Sequence, residues 1–353
     1  MINTHSSSIS QITANKPGDR DFFQTIDGMF FCVTGYLHPP DRYTAYLKYS
    51  PDSEGKWKRG KIAYRRELPY YHVRNVSKTL DFLEAQYPDY VTYCPVRDIR
   101  FSLIPRDCVD RYYNPRQCLT RILADPRDPL EKEVRDLVGE IAACSGVRPD
   151  DFGITGSILT GLHNQNWSDI DLLVYGRKSA GAVRRVLASG GSDRIEKADA
   201  EKRKQWCQRV SERFPLTFEE AWGFSARRWN YGFFKNRYFS IHPVRTDAEI
   251  TEEYGDHKYR SIGISRIRAV VHGAGDSMFL PATYDVRQVQ VLEGSPDGAR
   301  VREIVSYEGL FCDVVDAGQK IEAAGKIETV DGRPRRMVIG AAGKNGVEFI
   351  KQI

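Results

Sequence analysis

The chain has 353 residues, with 52 Lys and Arg against 47 Asp and Glu, a formal net charge of +5, 41 % hydrophobic and 28 % charged residues. That length allows more than one hydrophobic core, roughly two or three domains, and the balance is ordinary for a folded globular chain. Wholesale disorder is therefore excluded, and no apolar run approaches the about 20 residues of a membrane-spanning helix.

The first residues, MINTHSSSISQITANKPGDR, lack the apolar centre of a secretory leader, so residues 1–20 are expected to be a flexible tail. The seven cysteines (Cys32, Cys94, Cys108, Cys118, Cys144, Cys207 and Cys312) are dispersed, odd in number and without a C-x-x-C pair. Reduced thiols and a cytoplasmic location follow as the expectation, and a zinc site does not.

Residues 21–128 read as an α+β domain. The apolar run MFFCVTGYL stops at His38-Pro39-Pro40-Asp41, and Arg42–Tyr49 then alternates among β-forming residues. A turn at Pro51–Gly55 leads to a return strand over 57–66, and Asn75 is the expected cap of a helix running through Leu80 and Leu83. Arg42 to Arg74 holds nine basic and three acidic residues among seven tyrosines and tryptophans. Such interleaving suits stacking of bases and contact with phosphates, and equally a half-buried hairpin with lysines in water.

Residues 129–145 carry Leu130, Val134, Leu137, Val138 and Ile141 at helical spacing, with Pro129 at the start and Ser145-Gly146 at the stop. This predicts an amphipathic helix packed behind a sheet.

The stretch GITGSILTGLHNQNWSDIDLLVYG, residues 153–176, is the densest in chemistry. It reads as a strand, a Gly156-Ser157 turn opening a brief helix, a polar loop, and a second strand beginning with Asp169 and Asp171. Two carboxylates one residue apart on a strand share a face and repel each other unless a cation lies between them. Hard oxygen donors favour Mg²⁺ or Mn²⁺, and the unpaired amides at a helix start favour phosphate. Together they imply chemistry on a nucleoside triphosphate.

These residues resemble the signature of the polymerase-beta-type nucleotidyltransferase superfamily: an apolar residue, Gly-Ser, a spacer, then Asp-x-Asp in an apolar strand. Here Thr155-Gly156-Ser157 is followed by eleven residues and then Asp169-Ile170-Asp171-Leu172-Leu173-Val174. The wider chain is similar to archaeal predicted nucleotidyltransferases with extensions on both sides of this core. The resemblance implies a mixed-sheet domain over 129–268, an NTP, and divalent ions. Gly156 and Ser157 would hold triphosphate oxygens, and Asp169 and Asp171 would be the catalytic, metal-ligating pair. It also implies a third carboxylate on a later strand, a few residues before a proline. The matching segment is Arg237–Val244, and aligning Pro243 puts Ser240 at that position. His242, Asp247, Glu249, Glu252 and Glu253 are the nearby groups left to complete the site.

Between Arg194 and Arg245, twelve basic residues face six acidic ones, which suits either a polyanion cleft or a solvated helix surface. Helices are predicted near 178–188 and 195–213. From about residue 275, five β-rich segments (283–292, 304–315, 320–330, 334–339 and 347–350) are separated by Gly-containing turns such as Asp331-Gly332. They predict a small, OB-like β-barrel over 275–353. The expected whole is an α/β (α+β) multidomain protein. Its expected activity is Mg²⁺-dependent (or Mn²⁺-dependent) transfer of a nucleoside monophosphate to a hydroxyl acceptor, RNA favoured, with no membrane contact. The rival is a nucleic-acid-binding protein built on a degenerate transferase domain, and a carboxylate near Asp169 and Asp171 would discriminate the two.

Overall fold

The computed structural model describes residues 16–68, 73–340 and 348–353. Those residues form a mixed α+β structure with seven helices and three groups of paired strands.

The first sheet contains β1 (Phe22–Thr25), β2 (Phe30–Val33), β3 (Arg42–Pro51), β4 (Trp57–Arg59), β5 (Ile62–Arg66), β6 (Val91–Cys94), β7 (Ile99–Pro105) and β8 (Val109–Tyr113). Its main order is β4-β5-β3-β2-β1-β8, while β7 pairs with both β3 and β6. The expected return strand is thus two short strands, because Gly60, at a φ of +60°, turns the chain between them. Helix α1 (Val73–Gln86) already contains Asn75, so that residue lies inside the first turn and is not its cap. The flexible-tail expectation also ends too late. Asp19 Oδ1 accepts from the Gly35 amide at 2.7 Å, and His38 Nε2 lies 3.1 Å from the Pro17 carbonyl. These contacts fix residues 17–20 onto the sheet, while residues 1–15 lie outside the described residues.

Helix α2 (Pro115–Ala124) leads to α3 (Pro129–Ser145), whose bounds match the sequence pattern. Asp128 caps α3 by accepting from the Glu131 amide at 2.9 Å, and Gly146 ends it in the left-handed region at φ +69°. The central sheet follows: β9 (Phe152–Ile154), β10 (Ile170–Tyr175), β11 (Ile195–Glu196), β12 (Tyr231–Phe234) and β13 (Arg237–Val244), in the order β11-β12-β13-β10-β9. Between them lie α4 (Gly156–Thr160), α5 (Arg177–Ser189), α6 (Ala200–Arg213) and α7 (Phe218–Ala226). Ile170, Leu172 and Val174 of β10 turn with Phe239 and Ile241 of β13 onto α3 and α5. Each such fully buried side chain contributes roughly 1.5–3 kcal/mol of transfer free energy. The opposite face of these strands carries the polar residues described below.

Helices α6 and α7 interrupt the central sheet in sequence but pack elsewhere. Cys207, Val210, Ala221 and Phe224 join the core of the third sheet. That sheet comprises β14 (Tyr259–Asp276), β15 (Ala282–Gly294), β16 (Glu303–Ser306), β17 (Lys320–Val330), β18 (Arg333–Ile339) and β19 (Phe349–Gln352). The order is β14-β15-β16-β18-β17-β19, with a further pairing of β14 to β17. Strand β14 spans both residue 268 and residue 275, so the expected boundary there divides a continuous strand. The predicted strand over 304–315 stops at Ser306, where the chain turns through Gly309–Phe311. Val347 of the last predicted strand lies outside the described residues. No helix among the described residues is long and apolar enough to cross a membrane, and all seven cysteines are unpaired.

One buried ion pair ties the helices together. Arg121 on α2 grips Glu131 on α3 through both guanidinium nitrogens, at 2.5 and 2.6 Å, and the Arg127 amide adds a third bond at 2.7 Å. Burial pushes Glu131 up, but the Arg121 hydrogen bonds, the Arg127 amide and the Arg121 charge together hold it below its ordinary value. Its stabilisation is therefore present above the range where a free glutamate titrates, and is lost as pH falls through the lowered folded value. Arg121→Ala strands a buried carboxylate and should cost about 3–5 kcal/mol. Chemical denaturation checks this, and a loss below about 1 kcal/mol contradicts the bridge as a support.

Candidate active site

The site is built where α4 begins. Thr155 is extended, and its amide donates to the Asp171 carbonyl at 2.9 Å, pinning the turn to β10. Its hydroxyl donates to the Arg20 carbonyl at 2.7 Å, which joins the turn to the first sheet. Gly156 then adopts φ +69°, and a Cβ there would stand 2.7 Å from Asp171 Oδ2. A side chain is thus forbidden twice, by the backbone angle and by the approaching carboxylate. Ser157 follows with 7 % exposure, and its hydroxyl has no hydrogen-bond partner among the described residues. The single turn ends at Gly161, φ +70°.

Asp169 immediately precedes β10 and Asp171 is its second residue, so both side chains take the face opposite Ile170 and Leu172. Burial pushes the Asp169 carboxyl up to about 6, the charge of Asp171 adds to this, and Arg66 and Lys48 oppose it. The two carboxylates therefore occupy one strained, partly enclosed spot that a cation would relieve.

Strand β13 runs parallel to β10 with Asp171 opposite Ser240. Ser240 Oγ donates to Asp171 Oδ1 at 2.5 Å, and His242 Nε2 lies 2.9 Å from the same Oγ. The serine has one proton, and giving it to Asp171 leaves His242 Nε2–H as donor to Oγ. Enclosure, with Arg20 and Lys48 nearby, holds His242 well below its ordinary value, so the ring is neutral. Serine thus occupies the position expected of a third carboxylate. None of the other acids reaches the pair. Glu249 accepts from the Arg177 and Thr246 amides at 2.8 and 3.0 Å, and Asp247, Glu252 and Glu253 are exposed. No group of three or more His, Cys, Asp or Glu side chains among the described residues is placed to hold a metal ion.

The same face continues into aromatics. Tyr231 pairs with Ser240 across β12 and β13, meets the His242 ring edge-on at 6.5 Å, and lies nearly parallel to Tyr238 at 6.2 Å. The Arg228 guanidinium sits 3.9 Å from the centre of Tyr231 and 4.3 Å from that of Trp206. Much of the basic segment 194–245 is otherwise consumed in structure. Arg194, Lys235 and Arg237 bind Glu140, Asp136 and Glu133, Arg227 grips Asp316 at 2.8 Å with both terminal nitrogens, and Arg245 meets Asp276. Sequence reasoning missed Lys48 and Arg66, which bring positive charge to Asp169 from the first sheet, and Arg20, which acts on His242. Only Lys48, a cation inside a β-forming apolar run, carried a sequence signal.

Two outcomes follow from this geometry. Gly156→Ala and Gly161→Ala share the left-handed strain, but nothing lies within 4 Å of a Cβ at Gly161. Gly156→Ala should therefore cost at least about 1 kcal/mol more in thermal or chemical unfolding, and equal costs contradict the Asp171 contact. Asp169 has a raised folded pKa, so its contribution to stability declines as pH rises from the free-aspartate range through about 6. Mg²⁺ should accordingly raise the melting temperature more at pH 7.5 than at pH 5; an equal shift at both would remove the carboxylate pair as the cation's site.

The nucleotidyltransferase domain family matches residues 131–228, which contain Gly156, Ser157, Asp169 and Asp171 and stop short of Ser240. An uncharacterized protein of Methanocaldococcus jannaschii is 28 % identical over 342 residues, covering 94 % of this chain and 98 % of that protein. No solved structure matches the chain. Over residues 131–228, then, this chain carries a nucleotidyltransferase domain of the polymerase-beta type.

Proposed function

We propose that this protein is a metal-dependent nucleotidyltransferase that moves a nucleoside monophosphate from an NTP to a hydroxyl-bearing acceptor, RNA favoured, and releases pyrophosphate. The observation that carries the reading is the contact of the Gly156 turn with the Asp171 carboxylate, where a Cβ would lie 2.7 Å away. It brings a backbone-rich turn and a repelling carboxylate pair to one point, as a phosphate and its counter-ion require.

The donor set fits Mg²⁺ or Mn²⁺. Such ions are commonly held by one or two carboxylates, the remaining positions going to substrate phosphates and water. Asp169 and Asp171 would be those carboxylates, and the ion would supply charge neutralisation on the phosphates. Gly156 and Ser157 would hold triphosphate oxygens through the turn amides and the Ser157 hydroxyl. Ser240 orients Asp171, and neutral His242 behind it offers the uncharged polar surface next to the reacting oxygens. Tyr231 and Tyr238 provide flat apolar area beside the phosphates, suited to a base.

Two features support RNA as acceptor. Trp167, 49 % exposed, stands just before Asp169 and meets Trp57 edge-on at 5.4 Å, in a hairpin carrying Lys56, Lys58 and Lys61. The pairing order of β14, β15, β16, β18 and β17, with β17 returning to β14, suits a five-stranded OB-like barrel, and such barrels bind single strands.

A second reading is favoured by one observation, the Ser240 hydroxyl bonded to Asp171 where a proton-accepting carboxylate would stand. On that reading the domain binds nucleotide or nucleic acid with little or no transfer. Incubation with each labelled NTP, Mg²⁺ or Mn²⁺, and cellular RNA separates the two. The transfer reading expects labelled RNA, with loss on the order of 10³-fold in Asp169→Ala or Asp171→Ala. No label, or equal label in both variants, leaves the binding reading standing.

A further inference from the structure

The register of the first sheet contains an irregularity beside the site. Phe31 pairs with Leu47 and Phe30 with Tyr49, so Lys48 is the extra residue of a β-bulge between β2 and β3. Bulges re-aim a side chain and are frequent next to functional sites. Around Lys48, strand β3 supplies Ala45 and Leu47 to one apolar cluster and Tyr46 and Tyr49 to another. An ammonium in that company calls for an anion. Yet Lys48 makes no ion pair among the described residues, whereas Lys326 and Lys351 meet Glu328 and Glu220 at 2.6 and 2.8 Å. Arg66 stands opposite Tyr49 on β5, one residue beyond Lys48. It gives Nε to the Leu68 carbonyl at 2.8 Å and has no carboxylate partner among the described residues.

The carboxylates whose charge reaches these two cations belong to the neighbouring sheet. Arg66 and Lys48 both act on Asp169, and Asp171 acts on Lys48. The two sheets are locked together at this place. The Thr155 hydroxyl bonds the Arg20 carbonyl, and Leu159 and Leu162, from and just after α4, are buried among Phe22, Phe30, Tyr46 and Tyr49. Strand β3, which carries Lys48, is thus packed against the α4 segment that follows Gly156.

We propose that Lys48 and Arg66 are phosphate-binding residues, taking the β- and γ-phosphate oxygens of the nucleoside triphosphate held at Asp169 and Asp171. The first sheet is then half of the nucleotide site, although it lies outside the nucleotidyltransferase domain. The inference rests on the reading that the site takes a nucleotide. Two cations without carboxylate partners complement the outer phosphates, which the aspartates themselves would repel. Burial, then the charge of Arg66, holds the Lys48 ammonium down to about 8. A bound polyphosphate relieves both effects.

The test is calorimetric titration of the full chain with ATP, GTP, CTP and UTP, and with the matching monophosphates, all with MgCl₂. Lys48→Met and Arg66→Gln should each weaken triphosphate binding by about 10-fold or more while leaving monophosphate binding within about two-fold. Lys48→Arg should recover much of the loss. Unaltered melting temperatures show that the variants fold; if Lys48→Met melts early, Lys48→Gln is read in its place. Wild-type triphosphate affinity in the folded variants, or equal weakening of tri- and monophosphates, overturns the assignment alone. No triphosphate binding by the wild-type chain overturns it together with the nucleotide reading.

Discussion

The site depends on the close approach of a backbone to a carboxylate. Gly156 has no Cβ and sits at φ +69°, and this lets the Asp171 side chain lie against the turn. The Thr155 amide and the Asp171 carbonyl fasten the same two segments at 2.9 Å. Everything nearby is arranged around that junction. Strand β10 carries its apolar residues into the helices behind and its acids into the cleft, so one alternation builds both core and site. Strand β13, in register beside it, brings Ser240 and His242 to the acids and Phe239 and Ile241 to the core.

Substituting a hydroxyl for a carboxylate at Ser240 changes the electrostatics of the cleft. A third acid would add repulsion to a pair in which burial, and then the charge of Asp171, already pushes Asp169 up to about 6. Serine instead donates to Asp171 and holds one of its oxygens still. Neutral His242 behind it contributes no charge. The positive charge that acts on Asp169 comes from the first sheet, through Lys48 and Arg66. The two sheets are joined at Thr155 and Leu159, and the family match at 131–228 covers only β9, β10 and β11 of the central one.

Much of this was legible in the sequence, for identifiable reasons. Helix α3 announced itself by five apolar residues at helical spacing between a proline and a glycine. The Gly-Ser turn and Asp169-x-Asp171 were legible because a strand, a turn and a second strand were needed to make sense of them together. Ser240 was found by counting back from Pro243. What escaped was non-local. The bulge at Lys48 exists only as a mismatch between β2 and β3, and the proximity of Arg66 to Asp169 crosses about a hundred residues of chain. Strand β14 was missed because Gly263, Gly273 and Gly275 interrupt it, although Arg266-Ile267-Arg268-Ala269 alternates as a half-buried strand does. The basic run after residue 194 misled in the other direction, since ion pairs with Glu140, Asp136, Glu133 and Asp316 take up Arg194, Lys235, Arg237 and Arg227.

The central claim is that Asp169 and Asp171 hold a divalent ion together with a nucleotide's phosphates. Electron paramagnetic resonance of Mn²⁺, titrated into the protein with and without a non-hydrolysable NTP analogue, tests it directly. The account predicts protein-bound Mn²⁺ that tightens strongly with the analogue and vanishes in the Asp169→Asn, Asp171→Asn double variant. Mn²⁺ bound equally well by that double variant, or indifferent to the nucleotide, would contradict it.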